Sequence, residues 1–215
     1  MKGFIKLAAT AAINPAAVAA WGSSFLPGAG LQRYQLPFAS VNAQVQQRFG
    51  LSGGFGAVLT YVGAECSAYN LIVNQIERHA SGYAGIYFAL PQTISNDSIR
   101  MTLNSWQMQF DGFSFGFIQG GRVNLIAGLA WNWGNTYIRA QSADTKVKYE
   151  NPFFAPILRS ELSVKPGKRL VTGVRAAYRH DISKTGWRKY GAGFVQLPGT
   201  RLSGGSVGLF FAIDF

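Results

Sequence analysis

The closing segment of the sequence alternates strictly between two kinds of side chain and ends on an aromatic residue. An apolar residue stands at every second position: Val207, Leu209, Phe211, Ile213 and Phe215. A period of two is typical of a β-strand whose two faces meet different surroundings. In water such a strand would be an exposed apolar edge, whereas a closed barrel in a bilayer pairs every backbone group. The pattern therefore predicts a transmembrane β-barrel.

The composition agrees with strands that have one apolar face. The 215 residues are 48% hydrophobic and only 13% charged, well below the roughly 25% charged residues of ordinary soluble domains. No uncharged apolar run of about 18 residues follows the N-terminal segment, so helices are not expected to span a membrane. We predict an all-β fold, a closed antiparallel barrel of eight strands, with ten strands as the alternative.

The N-terminal segment resembles a secretory signal peptide. Two lysines precede the small apolar stretch 7–20, residues 17–19 are typical of a cleavage site, and Asn14 and Pro15 interrupt the apolar run. An N-terminal helix retained in the mature protein is the alternative. The expected organisation is a signal peptide at residues 1–20, a flexible lead-in at 21–34 and an outer-membrane barrel at 35–215.

The sequence offers little that could hold a metal or a cofactor. Cys66 is the single cysteine, and His79 and His180 are the two histidines. No cluster has the spacing of a zinc site, and no glycine-rich loop has the phosphate-binding pattern GxxxxGK[ST]. We therefore expect no metal and no cofactor.

Two alternating runs, residues 154–164 and 170–179, flank the turn signal Pro166-Gly167. A three-residue loop at 166–168 would set Arg159 opposite Arg175, with Glu161 diagonal to Arg175. Charged side chains facing lipid are costly, so we place them inside the barrel. The predicted interior charge network consists of Arg159, Glu161, Arg175, Arg179 and Asp214. A plug is its expected role, and an anion-lined pathway for small solutes is the alternative.

The remaining strands are predicted from weaker alternation. Residues 98–118 shift phase twice, which is typical of β-bulges in one long strand, and residues 123–133 form its partner. A hairpin turn at Asp111-Gly112 would instead give ten strands. In the upstream half, the predicted strands are residues 39–49, 55–62 and 82–90. Residues 69–78 have no clear assignment.

The excess of basic residues is concentrated in the C-terminal third. The chain carries a formal charge of +11, but the cations do not form one stripe, so no nucleic-acid partner is expected. They lie in two predicted external loops that could contact lipopolysaccharide phosphates. These loop cations are Arg139, Lys146, Lys148, Lys184, Arg188 and Lys189.

On these strands, the chain resembles the small outer-membrane β-barrel proteins of Gram-negative bacteria around OmpX, the OmpA transmembrane domain and the PorT-like proteins. The terminal row Val207, Leu209, Phe211, Ile213 and Phe215 is similar to the signal that such proteins present to the barrel-assembly machinery. The resemblance implies localisation in the bacterial outer membrane. It identifies no particular member and no oligomeric state.

Two segments have residue types that hydrolases use. His79 and Ser81 have the H-x-S spacing of outer-membrane lipid A deacylases, but Gly82 stands where those enzymes have Asn, and their pair lies near the C-terminus. In the segment from His180 to Ser183, adjacent residues of a strand would point to opposite faces. Both segments are more typical of a barrel rim or a loop flank.

These patterns favour a non-enzymatic protein with basic external loops. We expect a role in envelope integrity, surface interaction or support of an envelope assembly, with outer-membrane lipid, lipopolysaccharide and envelope proteins as partners. The alternatives are a lipid A acyl hydrolase that uses His79 and Ser81, and a narrow passive pore.

Overall fold

Eight antiparallel strands close into a barrel. The computed structural model describes residues 24–73, 76–120, 122–167, 169–183 and 186–213. Ten strands lie in these residues, and all of them except β4 and β9 belong to the barrel. They are β1 (Ser24–Gln35), β2 (Val58–Val73), β3 (Ile76–Ala89), β4 (Gln92–Ser95), β5 (Arg100–Gly120), β6 (Val123–Gln141), β7 (Lys146–Val164), β8 (Leu170–Arg179), β9 (Arg188–Tyr190) and β10 (Gly204–Ile213). Around the barrel the order is β3-β2-β1-β10-β8-β7-β6-β5, and β5 pairs with β3 to close the ring. The predicted eight-stranded barrel is confirmed.

Three further elements within the described ranges lie outside the ring. The short strands β4 and β9 pair with β5 and β7, and helix α1 (Ala39–Phe49) stands in the connection between β1 and β2. Within the described ranges, no helix has the length and apolar character needed to cross a membrane.

The outward face of the barrel is apolar and its inward face is largely polar. In β7, Leu158 and Leu162 point outward and are exposed, whereas Arg159 and Glu161 point inward and are buried. Other exposed apolar side chains include Phe88, Phe117, Leu129, Val174, Val207 and Phe211. A soluble protein has the reverse arrangement. Apolar side chains outside and polar side chains inside are typical of a barrel surrounded by lipid.

The long strands reverse this arrangement near one end. Strands β5, β6 and β7 have 21, 19 and 19 residues, about twice the nine to eleven that cross a bilayer. In the surplus part, Leu103, Ile138 and Tyr149 are buried inside, while Arg139 and Lys146 are exposed outside. The surplus therefore extends beyond the lipid-facing surface into water.

An apolar cap closes the barrel at this end, called the cap end below. Val41 and Val45 of α1 are buried in a cluster with Phe38, Leu51 and Phe55. Trp187, Phe194, Leu197 and Leu202 of the connection between β8 and β10 join the same cluster. The helix ends at Gly50, whose left-handed backbone (φ 64°) lets its N–H donate to the Gln46 carbonyl.

The opposite end, called the turn end, has short connections and a small apolar cluster. Strand β2 ends at Val73 and β3 begins at Ile76, and β5 ends at Gly120 and β6 begins at Val123. Inside this end, Leu26, Val171, Phe210 and Ala212 pack together. Apolar side chains thus lie at both ends of the polar interior.

Residues 39–49, predicted as a strand, form helix α1 instead. Val41, Ala43 and Val45 satisfy a period of two, but Val41 and Val45 are also four residues apart, which places them on one face of a helix. The buried pair faces the cap. The packing of Val41 and Val45 in the cap therefore decides between a strand and a helix.

The lead-in predicted at residues 21–34 is wrong from Ser24 onward, because Ser24–Gln35 is β1. Pro27, Gly28 and Gly30 weaken the strand pattern, but glycine is required at position 28. A Cβ there would lie 2.2 Å from the Phe211 carbonyl oxygen. The predicted signal peptide, residues 1–20, lies outside the described residues.

The register of the β7–β8 hairpin differs from the prediction by two residues. Arg159 faces Ala177, and Glu161 faces Arg175 directly rather than diagonally. A shift of two keeps every side chain on its predicted face. The long strand β5 is confirmed, with a bulge between Asp111 and Phe113. The earlier phase change after Leu103 is not a bulge, because Leu103 belongs to the apolar interior of the cap.

Closure of the ring can be tested by cross-linking β3 to β5. Ile86 lies opposite Met108, and paired Cα atoms at about 4.5–5.5 Å suit a disulfide. In a Cys66→Ala background, we expect Ile86→Cys with Met108→Cys to cross-link on oxidation, seen as a mobility shift on non-reducing gels. The control pair, Ile86→Cys with Trp106→Cys, is displaced by two residues and should cross-link far less. Equal yields for the two pairs would contradict the register.

Candidate functional site

Arg175 is the centre of a buried charge network inside the barrel. Its Nη2 lies 2.8 Å from Glu161 Oε2, and its Nη1 lies 3.0 Å from Glu65 Oε2. All three side chains are at least 95% buried. One guanidinium from β8 thus joins carboxylates from β2 and β7.

Aromatic rings complete the surroundings of Arg175. The guanidinium carbon lies 4.2 Å from the ring centre of Tyr83 and 4.7 Å from that of Phe210. The Tyr87 hydroxyl donates a hydrogen bond to Glu65. Such cation–π contacts and charge-assisted hydrogen bonds are strong where water is excluded.

Two further arginines extend the network along the interior. Arg159 Nη2 lies 2.8 Å from Asp111 Oδ2, which also accepts a hydrogen bond from Ser114 Oγ at 3.0 Å. Arg179 donates to neutral oxygens, the Leu202 carbonyl at 2.6 Å and Gln107 Oε1 at 3.0 Å. The interior of the described residues therefore carries three guanidinium groups and three carboxylates.

Amide side chains fill the space beside these charges. Gln109 Nε2 donates to Gln32 Oε1 at 3.0 Å and to the Tyr34 hydroxyl at 2.8 Å. Asn132 Nδ2 donates to Gln107 Oε1 at 2.8 Å. A gap between these side chains, lined by Gln32, Tyr34 and Gln109 among others, has no room for a water molecule. Side chains thus plug the barrel at this level.

The structure places four of the five predicted network residues within the interior, and Asp214 lies outside the described residues. Sequence reasoning missed Glu65 and Asp111. Glu65 stands in the upstream half, where glycines obscure the alternation, and Asp111 stands at a bulge that shifts the phase. The predicted network has more arginines than acids, and this excess was the signal in the sequence that a further interior carboxylate was needed.

A basic patch lies on the outward face of the surplus part of the long strands. The patch consists of Arg100, Arg139, Lys146, Lys148 and Arg188. Arg139 stands directly opposite Lys148, and Lys148 forms an ion pair with Glu150. The Tyr137 ring centre lies 5.4 Å from the Arg139 guanidinium carbon and 5.3 Å from Lys148 Nζ.

Aromatic side chains lie on the same strands, toward the turn end from the basic patch. Trp106 and Trp133 meet edge to face with ring centres 5.6 Å apart. Trp131 stacks on Phe154 with ring centres 5.3 Å apart. Aromatic residues of this kind are typical of the boundary between lipid and water in transmembrane barrels.

Not every predicted loop cation belongs to the patch. Lys189 points the opposite way on β9, and its Nζ donates to the Phe194 carbonyl. Lys184 lies outside the described residues. Arg100 was not among the predicted loop cations. The patch is therefore an outward face of neighbouring strands rather than a set of loops.

The structure gives no hydrolase geometry to the segment around His180. Asp181 is buried and accepts hydrogen bonds from the Leu202 N–H at 2.7 Å and the Ser183 N–H at 2.9 Å, while His180 is exposed. Asp181 thus organises the loop. His79 and Ser81 lie in β3, and their side chains are outside the described part of the structure. Among described residues, no group of three His, Cys, Asp or Glu could hold a metal ion.

The terminal row predicted as an assembly signal lies on the lipid-facing side. Val207, Leu209, Phe211 and Ile213 are between 49% and 64% exposed. Phe215 lies outside the described residues. Recognition of this row by the assembly machinery stays a prediction.

No protein-family model matches the chain, and no curated protein matches it. Among solved structures, it is similar to Ail, the attachment invasion locus protein of Yersinia pestis, with a TM-score of 0.49 and 10% identity over 90% of this chain and 97% of that one. A major outer membrane protein from Thermus thermophilus has the same TM-score, 0.49, and 10% identity over 88% of this chain and 98% of that one. The outer membrane protease OmpT from Escherichia coli has a TM-score of 0.23 and 9% identity over 89% and 93%. The fold assignment rests on the strand pairing, and these likenesses carry no argument about function.

Replacing Arg175 by alanine tests whether the interior network is structural. The change leaves Glu65 and Glu161 buried without their shared cation, which costs about 3–5 kcal/mol. We expect a corresponding loss of unfolding free energy, measured by guanidinium titration in detergent micelles with tryptophan fluorescence. Arg48→Ala, on the exposed face of α1, is the control and should change it by less than about 0.5 kcal/mol. Unchanged unfolding of Arg175→Ala with altered ion conductance would contradict a structural role.

Proposed function

We propose that the protein is a non-enzymatic, non-conducting barrel of the bacterial outer membrane that binds lipopolysaccharide phosphates through its basic patch. The observation that carries the proposal is the position of the patch. Five cations lie outward on neighbouring strands, just beyond aromatic side chains that suit the membrane boundary. Lipopolysaccharide bound at the patch would be held against the barrel, and this contact would support envelope integrity.

The lengths of the connections support an orientation with the cap end outside the cell. Outer-membrane barrels have short periplasmic turns and longer external connections. Here α1, β4 and β9 all lie in connections at the cap end, whereas the turn end has short ones. In this orientation the patch stands at the height of the phosphates of the outer leaflet.

The pairing of like charges within the patch favours an anionic partner. Arg139 and Lys148 are directly opposite on β6 and β7, and like charges in that position repel each other. The ion pair of Lys148 with Glu150 offsets part of this repulsion. A bound phosphate would relieve the repulsion through charge-assisted hydrogen bonds. Each cation near an anionic membrane surface contributes about 1 kcal/mol.

The filled interior supports the absence of conduction. An eight-stranded barrel is just wide enough for side chains to fill it, and amides, ion pairs and apolar clusters at both ends occupy the described interior. A narrow pore would need the Arg175 network to open. No contact of a described side chain favours the lipid A hydrolase that uses His79 and Ser81.

Neutralising two patch cations tests the binding site. We expect Arg139→Gln with Lys146→Gln to weaken lipopolysaccharide binding by about 30-fold, since two cations at about 1 kcal/mol each are lost. Binding is measured by titrating lipopolysaccharide into the protein in detergent micelles at low and high salt. The wild-type affinity should fall with salt, because exposed charges are screened.

The matched control removes the same charge at the other end of the barrel. Arg122→Gln with Arg169→Gln changes two exposed cations of the turn end and should leave the affinity within about twofold. Equal losses for the two double variants would show that net charge, rather than the patch, attracts the lipid, and would overturn the proposal.

Reconstitution into planar bilayers tests the absence of conduction. Because the interior is filled, we expect no steady single-channel current from the folded wild-type protein. Arg175→Ala serves as the comparison, since it removes the central side chain of the plug. A stable open channel in the wild type would contradict the proposal and favour the passive pore.

A further inference from the structure

A groove of 870 Å³ crosses the lipid-facing wall of the barrel, away from the basic patch. Its floor follows one row of cross-strand partners on five neighbouring strands. The row runs through Arg33, Val207, Ala176, Ser160 and Ala127. The small side chains of three of these residues leave the depression open.

Larger side chains border the floor on both sides. Toward the cap end, the next row carries Tyr178 and Leu158, which are 53% and 63% exposed. Toward the turn end, the next row is aliphatic and consists of Leu31, Leu209, Val174, Leu162 and Leu125. The groove is therefore an open depression bordered by apolar side chains.

The groove descends from the membrane boundary into one leaflet. At one end of the groove, Arg33 lies two residues from the cap end of β1. At the other end, Ala127 lies six residues toward the turn end from Trp133, an aromatic residue of the membrane boundary on β6. Four steps between strands span about 19 Å. With strands tilted by about 40°, such a row descends by about 12 Å, close to half of the roughly 30 Å hydrocarbon core.

The upper end of the groove carries a cation that has no acidic neighbour on its face among the described residues. Arg33 is exposed, and its nearest outward neighbours are Thr60 and Val207 across the sheet and Leu31 and Gln35 along the strand. An exposed guanidinium at the boundary of a membrane attracts a lipid phosphate. The phenol of Tyr178 borders the same groove and adds a second polar group.

From this geometry we infer that the groove holds one acyl chain of lipid A, with a phosphate of that lipid at Arg33. Bulk lipid is as apolar as the groove, so the chain gains close packing rather than hydrophobic burial, and the phosphate contact supplies selectivity. The inference shares the orientation used in the proposed function, but it concerns the part of the wall on the turn-end side of the patch and adds the acyl chain of the lipid.

Native mass spectrometry of the full-length protein, released from detergent after titration with lipid A, tests the inference. We expect Ala176→Trp, which fills the floor, to reduce the number of retained lipid A molecules by one. Ala64→Trp is the matched control, because Ala64 is outward on β2 and outside the groove. It should retain the wild-type number. Folding of each variant is checked by heat-dependent gel mobility, and Ser160→Leu replaces Ala176→Trp if the latter does not fold.

A charge variant separates this site from the basic patch. Arg33→Gln should weaken retention of the groove lipid by about fivefold, whereas Arg139→Gln with Lys146→Gln should leave that lipid bound. Equal losses in Ala176→Trp and Ala64→Trp would overturn the groove, whatever the patch variants do. Equal retention of a phosphate-free lipid A, or preferential retention of phosphatidylethanolamine, would overturn the assignment of the occupant.

Discussion

The contact of Arg175 with Glu65 and Glu161 is the constraint on which the barrel depends. A buried guanidinium without partners costs several kcal/mol, and its two carboxylates come from strands on either side of the closed ring, one of them 110 residues earlier in the chain. A slip of β8 by one residue would turn Arg175 toward lipid. The network therefore sets register, closure and the filling of the interior together.

Large rings share this interior with the charges, and glycines make room for them. A Cβ at Gly63 would lie 2.6 Å from Tyr87 Cδ1, and one at Gly85 would lie 2.8 Å from Tyr87 Cε2. The Tyr87 hydroxyl in turn binds Glu65. Gly63 and Gly85 thus leave the space that the Tyr87 ring occupies beside the charges.

The downstream half of the fold could be predicted because its lipid-facing rows are uninterrupted, as in β6 and β10. In the upstream half, only parts of β2 and β3 were predicted, as residues 55–62 and 82–90. The glycines of β1 and β2 remove side chains that would mark a face. Helix α1 was missed because its two buried valines fit either period. At the interior site, the arginines of β7 and β8 were accessible to sequence reasoning, whereas Glu65 and Asp111 depend on pairing between distant strands.

The exchange of apolar and polar faces along β6 and β7 also sets how deeply the barrel sits in the membrane. On β6, Trp133 is the last outward residue suited to lipid, and Arg139 is already in water. Moving that exchange by two residues would displace the barrel by about 5 Å along the membrane normal and create hydrophobic mismatch. The vertical position of the cations on these strands is therefore set by the strands themselves, so lengthening a connection at the cap end would leave it unchanged.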